Sequence, residues 1–278
     1  LELTRQDLAQ YRGKGLALRG IKGATGTQAS FLALCHGDAA KVDALEAAFL
    51  KQFDREPSQV YALTGQTYPR LVDAQILSKL ATIASVLHKI GTDIRLLCNR
   101  KEIDEPFESK QIGSSAMPYK RNPMRCERMC GLARFVINLT PNAFDTAATQ
   151  WLERTLDDSS NRRLSLPESF LALDGALDIL FNVASGLIVH QATVRKNLMD
   201  ELPFMATENL LMACVQAGGD RQMYHEAIRV HAQAAGMAVK ELGRPNDLLT
   251  RLRDDPAFHA PALRSELDWE GLLDPAKY

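Results

Sequence analysis

The longest regular hydrophobic pattern in the chain lies between residues 76 and 97. Its apolar positions follow one another in alternating steps of four and three residues, without a break. They are Ile76, Leu80, Ile83, Leu87, Ile90, Ile94 and Leu97. A repeat of about 3.5 residues is typical of helices that pack nearly parallel to one another in a bundle. The pattern therefore predicts one long helix with a continuous apolar face.

A second seam of the same kind lies between residues 166 and 187. Its members are Leu166, Phe170, Leu173, Leu177, Leu180, Ala184 and Leu187. Other apolar residues, such as Phe181 and Ile188, lie beside this seam, so the helix has more than one neighbour to bury against. The two seams predict an all-α fold, with an elongated helical bundle over residues 1–189 that oligomerises through its apolar faces.

Shorter elements surround these two helices. We predict helices over about 1–17 and 28–53 and a short strand-like run over 59–63. A helix over 123–139 is predicted to direct Met124, Cys130, Leu132 and Phe135 inward. A break is predicted at Pro141, with another helix from Phe144.

The sequence of residues 190–278 predicts a second, smaller helical domain. A helix is expected to start near Glu201 with Thr207 as its cap, and Gly218-Gly219-Asp220 should separate it from a helix that ends near Leu242. The prolines of the remaining tail favour short helices and turns.

Composition narrows the class of protein. The chain has 278 residues and a net charge of −1, so its overall charge gives no reason to expect a nucleic-acid or membrane partner. No apolar run is expected to span a bilayer. The five cysteines are scattered and complete no zinc pattern, so we expect no metal and a reducing, cytoplasmic setting.

The segment from Ile112 to Glu127 carries the first candidate chemistry. It reads Ile-Gly-Ser-Ser-Ala-Met-Pro-Tyr-Lys-Arg-Asn-Pro-Met-Arg-Cys-Glu. Its glycine, serines and prolines disfavour helix and strand, so the sequence predicts a loop between two rigid helices. Loops held in this way often carry reactive groups, although an ordinary solvated surface loop would have the same composition.

The polar residues of this loop suit proton removal beside a carboxylate. Such a step builds negative charge on the carboxylate oxygens, and Lys120, Asn122 and backbone amides near Gly113 could stabilise it. A serine hydroxyl could accept the proton only in a dry, cationic pocket.

The same loop resembles the signature loop of the fumarase/aspartase superfamily, whose members release fumarate. The resemblance implies that Ser114 is the catalytic base and that Lys120 and Asn122 bind the substrate carboxylates. It also implies that Glu127 supports a catalytic histidine, that no cofactor is needed, and that the bundle forms a tetramer core.

A second constellation lies at residues 151–163, Trp-Leu-Glu-Arg-Thr-Leu-Asp-Asp-Ser-Ser-Asn-Arg-Arg. Arginine side chains suit phosphate because they donate two parallel hydrogen bonds. If a helix ends near Asp158, then Arg154, Ser159 and Arg163 could face one ligand. On composition alone, a solvated charge cluster with internal ion pairs is the favoured interpretation.

This second segment resembles the corresponding stretch of adenylosuccinate lyases, as does Thr64-Gly-Gln-Thr-Tyr68. The resemblance implies that Arg154, Ser159 and Arg163 bind the nucleotide part of the substrate and that Gln66 and Arg128 also bind substrate. Between Tyr119 and Arg134 the sequence has five cationic side chains and a single acidic one, Glu127. The cationic residues are Lys120, Arg121, Arg125, Arg128 and Arg134. A substrate with two carboxylates and a phosphate would be attracted to such a place.

The resemblance thus implies a lyase of purine nucleotide synthesis. It would release fumarate from adenylosuccinate, giving AMP, and from the succinyl-aminoimidazole carboxamide ribotide. Two alternatives remain open: another fumarate-releasing lyase, such as argininosuccinate lyase, or a helical assembly module without catalysis.

The chain departs from the family pattern in one respect. None of its six histidines lies in a matching motif, and nothing resembles the family's N-terminal region. We therefore expect the central and C-terminal part of a subunit, with residues 190–278 shortened at their end. The family relation also implies a homotetramer whose active sites are shared between subunits.

Overall fold

The computed structural model describes residues 1–107, 117, 119–260, 263 and 267–278. These residues form two compact units, Leu1–Ile188 and Val189–Tyr278. Both units are helical within the described ranges, so the predicted all-α class is confirmed.

The first unit contains six α-helices among the residues described. They are α1 (Glu2–Gln10), α2 (Ala29–Leu34), α3 (Ala39–Lys51), α4 (Leu71–Asn99), α5 (Met124–Ala148) and α6 (Asp157–Ser185). A π-helical turn, Tyr11–Gly15, follows α1, and a 3-10 turn, Pro57–Gln59, follows α3. The two-residue strands β1 (Ile103–Asp104) and β2 (Ile188–Val189) pair with each other.

The core of the first unit is the contact of α4 with both α5 and α6. Its buried residues on α4 are Ala74, Leu77, Leu80, Ile83, Ala84 and Leu87. Those contributed by α5 and α6 are mostly small or of medium size: Cys126, Met129, Ala133, Val136, Ala143, Leu173, Ala176 and Val183. Small side chains at these positions let the helix axes approach closely. Leu80, Ile83 and Leu87 of the first predicted seam are buried, and Ile76 and Ile94 pack against the same core. The seam is therefore confirmed except at its C-terminal end, where Leu97 is 37% exposed.

Several large apolar side chains face away from this core. On α5, the inward positions predicted for Met124 and Phe135 are wrong, because these side chains are 43% and 44% exposed. On α6, Phe170 and Phe181 are exposed, while Ser165 and Ser169 are buried against the bundle. Of the second predicted seam, Leu173 is buried, and Leu166 and Leu180 pack against the core. The exposed large members are Phe170, Leu177 and Leu187.

Prolines lie inside three of the described helices. Pro167 lies within α6, and the break predicted at Pro141 is wrong. Helix α5 continues through Pro141, and α7 (Gln191–Gln216) continues through Pro203. The predicted helix start near Glu201 is therefore wrong, and Thr207 lies inside α7, where its hydroxyl donates to the Phe204 carbonyl. A proline removes one helical hydrogen bond, a loss that tertiary packing on both sides can offset.

The predicted helix over 28–53 is interrupted. His36 and Gly37 have φ values of 54° and 85°, and the Asp38 side chain then accepts from the Lys41 amide at 3.2 Å to begin α3. A left-handed residue ends a helix, and an aspartate N-cap begins the next one. The strand-like run over 59–63 forms only an isolated parallel bridge, between Leu18 and Val60.

Helix α4 is long and apolar enough, by composition alone, to cross a membrane, which corrects the expectation that no run reaches that length. Its apolar stripe is the core of the bundle, and Asp73 is buried in its first turn. A buried core helix can match a membrane span in length and composition.

The second unit contains α7, α8 (Arg221–Leu242) and α9 (Leu248–Asp254), followed by the 3-10 turns Pro256–His259, Gly271–Leu273 and Pro275–Lys277. The predicted boundary before α8 is confirmed: Gly218 has a φ of 85°, and the Asp220 side chain accepts from the Met223 amide. Its core includes Leu210, Cys214, Tyr224, Ile228, Leu248, Leu252 and Phe258.

Gly91 lies at a close approach of α4 to α5. A Cβ atom there would come within 2.8 Å of both the Cys130 Sγ and the Met129 Cε atoms, whereas a Cβ at Gly131 would meet nothing within 4 Å. We expect Gly91→Ala to lower the free energy of unfolding by about 1–3 kcal/mol through overpacking.

The matched substitution Gly131→Ala should raise the free energy of unfolding by roughly 0.5–1 kcal/mol, because alanine favours the helix. Urea unfolding of the purified chain and both variants measures these changes. Equal stability of the two variants would contradict a close α4–α5 approach at Gly91.

Candidate active site

The loop that carries Gln66 is joined to the segment that carries Arg154 and Ser159. The Gln66 amide donates to the Glu153 Oε2 atom at 3.3 Å. The Gln150 side chain accepts from the Arg70 amide at 2.9 Å and donates to the Glu153 carbonyl at 2.7 Å. Two stretches separated by more than eighty residues therefore form one local structure.

A buried ion pair lies beneath this contact. The Arg70 Nε atom donates to the Asp158 Oδ2 atom at 2.7 Å, and the two side chains are only 4% and 5% exposed. Arg70 immediately precedes α4, and Asp158 lies in the first turn of α6. The pair therefore connects the start of α4 to the start of α6.

Tyr68 and Asp73 join the same two helices by a second route. The Tyr68 hydroxyl donates to the Asp73 Oδ1 atom at 2.8 Å, and Arg162 of α6 donates to the Asp73 Oδ2 atom and to the Tyr68 hydroxyl. Burial, followed by the hydrogen bond to Asp73, raises the pKa of Tyr68. The phenol therefore stays protonated and donates to the carboxylate.

Both guanidinium groups also lie over the Tyr68 ring. The Cζ atoms of Arg70 and Arg162 are 4.8 Å and 5.3 Å from its centroid, distances suited to cation–π attraction. We call these five residues, Tyr68, Arg70, Asp73, Asp158 and Arg162, the Tyr68 cluster. Two cations and two anions make it neutral overall, which is how buried charges are tolerated.

The predicted nucleotide-binding residues lie on the outside of this cluster. Arg154 and Ser159 are half-buried, and Arg163 is exposed on α6. The expected helix end near Asp158 is wrong, because α6 begins at Asp157 and carries Ser159 in its first turn. The start of a helix offers unpaired backbone amides, which attract anions such as phosphate.

The remaining predicted residues lie at the start of α5. Lys120 is exposed and Asn122 half-buried just before this helix, and Glu127 and Arg128 are exposed in its first turn. Ser114, the predicted base, lies outside the described residues.

Glu105 holds the start of α5 in place. Its buried carboxylate accepts from the Cys126 amide at 2.7 Å and from the Arg125 amide at 3.0 Å, as an N-cap residue would. Arg125 in turn donates to the Pro106 carbonyl at 2.6 Å. Arg121 lies 3.6 Å from the Asp104 carboxylate and over the Phe107 ring, so residues 104–107 and 121–126 are held together.

The two groups of predicted residues are far apart within one chain. Glu105 follows the end of α4, whereas Arg70 precedes its start, and α4 has 29 residues. At about 1.5 Å per residue, roughly 40 Å separates the group at residues 120–128 from the group at Gln66 and residues 154–163. The structure joins the loop that carries Gln66 to the segment that carries Arg154 and Ser159, through Glu153 and Asp158. It does not bring Lys120, Asn122, Glu127 or Arg128 to that segment.

Sequence reasoning missed Arg70, Asp73, Asp158 and Glu105. The signal available was charge at positions that the helical pattern buries, such as Asp73 in the first turn of α4. Which distant partner neutralises each charge is a tertiary property that residue spacing does not encode.

Cys98 is half-buried near the end of α4, and Cys126 is buried near the start of α5. All five cysteines are free, and burial raises the pKa of Cys98 to about 11 and raises that of Cys126 further. Both thiols therefore stay protonated near neutral pH. Across the described parts of the chain, no three His, Cys, Asp or Glu side chains are grouped so that they could hold a metal ion.

Comparison with known proteins identifies relatives of this chain. A family model described as "Lyase" matches residues 18–138, and one described as "Adenylosuccinate lyase C-terminus" matches residues 203–278. The chain is 54% identical over 265 residues to the adenylosuccinate lyase of Schizosaccharomyces pombe, covering 95% of this chain and 53% of that protein. It is 51% identical over 265 residues to the adenylosuccinate lyase of Saccharomyces cerevisiae, with the same coverage.

Among solved structures, the chain resembles the 3-carboxy-cis,cis-muconate lactonizing enzyme from Pseudomonas putida. The TM-score is 0.77 and the identity 27%, over 99% of this chain and 57% of that one. The chain spans about half the length of the curated relatives it matches.

The hydroxyl of Tyr68 is expected to stabilise the fold through Asp73. Tyr68→Phe leaves a carboxylate that is 2% exposed without one of its donors, so the free energy of unfolding should fall by about 1–3 kcal/mol at pH 7. Because the folded-state pKa of Tyr68 is raised, its contribution is full below the ordinary tyrosine value and is lost as pH rises through the raised value. The two stability curves should therefore converge in alkaline solution.

Denaturant titrations of the purified chain at several pH values test this expectation, with Tyr119→Phe as the control because Tyr119 is 83% exposed. A Tyr68→Phe variant as stable as the Tyr119→Phe variant at pH 7 would show that the hydroxyl contributes nothing.

Proposed function

Because the chain belongs to the adenylosuccinate lyase family, we propose that it provides the central and C-terminal part of an enzyme that releases fumarate from adenylosuccinate, giving AMP. The same enzyme would act on the succinyl-aminoimidazole carboxamide ribotide. The observation that carries this proposal is the attachment of the Gln66 loop to the segment that contains Arg154 and Ser159, through Glu153 and Asp158. A fumarate-releasing enzyme for a substrate without phosphate has no need of this second group of residues.

In the proposed reaction, Ser114 removes a proton from the succinyl carbon beside a carboxylate. Lys120 and Asn122 stabilise the negative charge that develops on the carboxylate oxygens. The C–N bond then breaks, its electrons pass to the leaving nitrogen, and a histidine protonates that nitrogen. Glu127 supports this histidine, which we place outside the present chain because none of its six histidines lies in a matching motif.

Arg154, Ser159 and Arg163 hold the nucleotide phosphate in this proposal. The start of α6 supports the assignment, because its backbone amides add to the attraction of the arginines for a phosphate. Gln66 and Arg128 complete the contacts to the substrate.

We further propose that the active site is shared between subunits of a homotetramer in the cytoplasm. The separation of the two groups by the length of α4 supports sharing, since one chain alone cannot bring both to a single small substrate. The exposed apolar residues of α5 and α6 also support assembly. Phe135 on α5 and Phe170 and Phe181 on α6 would be removed from water if a second copy of the chain covered them, which would stabilise the assembly.

The catalytic role of Ser114 can be tested in a hybrid subunit in which this chain replaces the matching segment of the Schizosaccharomyces pombe relative. We call this protein the hybrid enzyme. It should release fumarate from adenylosuccinate, measured by absorbance. Ser114→Ala should reduce turnover by a factor of about 10² to 10⁴, as expected for loss of a general base, while substrate binding is retained.

Ser115→Ala is the matched control and should keep most of the turnover. Preserved turnover in Ser114→Ala would remove Ser114 from the role. Activity on argininosuccinate alone would identify a different lyase, and a folded, tetrameric hybrid without either activity would favour an assembly module.

Subunit sharing predicts that defective hybrid enzymes complement one another. Lys120→Ala and Arg163→Ala each remove one end of the site. After the two variants are unfolded together and refolded, random mixing gives about a quarter of the sites both intact groups, so about a quarter of the activity should return.

A mixture of Lys120→Ala with Asn122→Ala serves as the control. Both residues belong to the same end of the bundle, so no site regains an intact pair and activity should stay low. Equal recovery in the two mixtures, or none in either, would contradict a site built from opposite ends of different subunits.

A further inference from the structure

We propose that the Arg70–Asp158 ion pair is a positioning pair for the substrate site, which holds Gln66 and Ser159 at a fixed separation. The inference rests on the proposed function, because Gln66 and Ser159 are the groups assigned to the substrate there. Neither Arg70 nor Asp158 touches the substrate in this proposal; each acts through its neighbours in the chain.

The pair has the connectivity that such a role needs. Arg70 ends the loop that carries Gln66, and Asp158 immediately precedes Ser159. The direct bond of 2.7 Å between the Arg70 Nε atom and the Asp158 Oδ2 atom therefore sets the distance between the loop and the first turn of α6. The Arg70 amide is fixed as well, through the Gln150 side chain.

The pair is not needed simply to attach the loop to α6. Tyr68, Asp73 and Arg162 already make that attachment, through hydrogen bonds to both oxygens of the Asp73 carboxylate. A second buried ion pair adds little net stability, because desolvation of its charges offsets much of their attraction. The second connection adds directional control over the first turn of α6, where Ser159 lies.

The hydrogen bonding of Asp158 sets it apart from Asp73. Its Oδ1 atom is buried and has no hydrogen-bond partner in the described structure. Buried acceptor atoms without a hydrogen-bond partner are uncommon and energetically unfavourable. Where they occur in native proteins, they are found mainly at functional sites. Since Oδ2 binds Arg70, the orientation of this carboxylate depends on Arg70.

The test uses the hybrid enzyme with Asp158→Asn, which keeps the size of the side chain but removes the charge that orients Arg70. This substitution removes the charge-assisted hydrogen bond between Arg70 and Asp158, which positions the substrate-binding residues. KM for adenylosuccinate should therefore rise about tenfold or more, while kcat changes far less. Asp174→Asn is the matched control. It removes the same charge from the same helix, but Asp174 is exposed and lies more than four turns from Asp158, so KM should be unchanged.

A double-mutant cycle with Gln66→Ala separates positioning from general loss of stability. Gln66→Ala should raise KM in the otherwise unchanged hybrid but should add little once Asp158→Asn is present, because Gln66 is then already displaced. Arg70→Lys keeps the charge without the planar fork, and it should give a smaller rise in KM than Asp158→Asn. This variant also replaces Asp158→Asn if that protein does not fold.

Calorimetric titration of AMP into each hybrid gives a readout that does not depend on turnover. AMP should bind the Asp158→Asn hybrid about tenfold more weakly than the Asp174→Asn hybrid.

Two results in an active hybrid would overturn the positioning role and leave the proposed function intact. One is that Asp158→Asn lowers only the melting temperature, and the other is that the effects of Gln66→Ala and Asp158→Asn on KM are additive. If the variants bind AMP with the expected difference but the hybrid releases no fumarate, the proposed function alone is overturned. If the hybrid binds no AMP, both proposals are overturned.

Discussion

The burial of α4 against α5 and α6 is the constraint on which the first unit depends. Leu77, Leu80 and Leu87 are almost fully buried there, and the missing side chain of Gly91 lets α4 approach Cys130 of α5. The partner helices present mainly small residues to this contact, so the three axes lie close together. Once α4 is fixed, the positions of the segments before and after it are fixed as well.

Those two segments are where the candidate chemistry is held. Before α4, Arg70 binds Asp158, and this contact orients the start of α6. After α4, Glu105 accepts from the first amides of α5 and so orients the helix that carries Glu127 and Arg128. Charged groups that have left water determine both arrangements, because a buried carboxylate must find its donors. A long rigid helix therefore separates two well-defined ends, and neither end contains a complete site.

The outward-facing residues explain how such ends could be combined. Phe135, Phe170 and Phe181 leave an apolar surface on the same helices that form the core, while Ser165 and Ser169 occupy inward positions. A helix that buries its small residues within the chain and exposes its large ones is suited to a second copy of the bundle. Assembly and catalysis are thus linked in our proposal, since the contact that covers these residues would also bring opposite ends of different subunits together.

The sequence alone determined the all-α class and most of the extent of α4, because the hydrophobic period of a helix is encoded over short distances. It did not determine whether Pro141 and Pro203 would break their helices, since packing on either side of a proline offsets the lost hydrogen bond. Nor could the hydrophobic period decide that Phe170, a member of the second seam, is exposed while the adjacent Ser169 is buried. A helix with a wide apolar stripe has several possible neighbours, and the period does not say which of them the chain supplies. Only the tertiary structure decided that Arg70 meets Asp158 and that Gln66 and Lys120 lie at opposite ends, because the pairing of distant charges depends on how the helices turn back on one another.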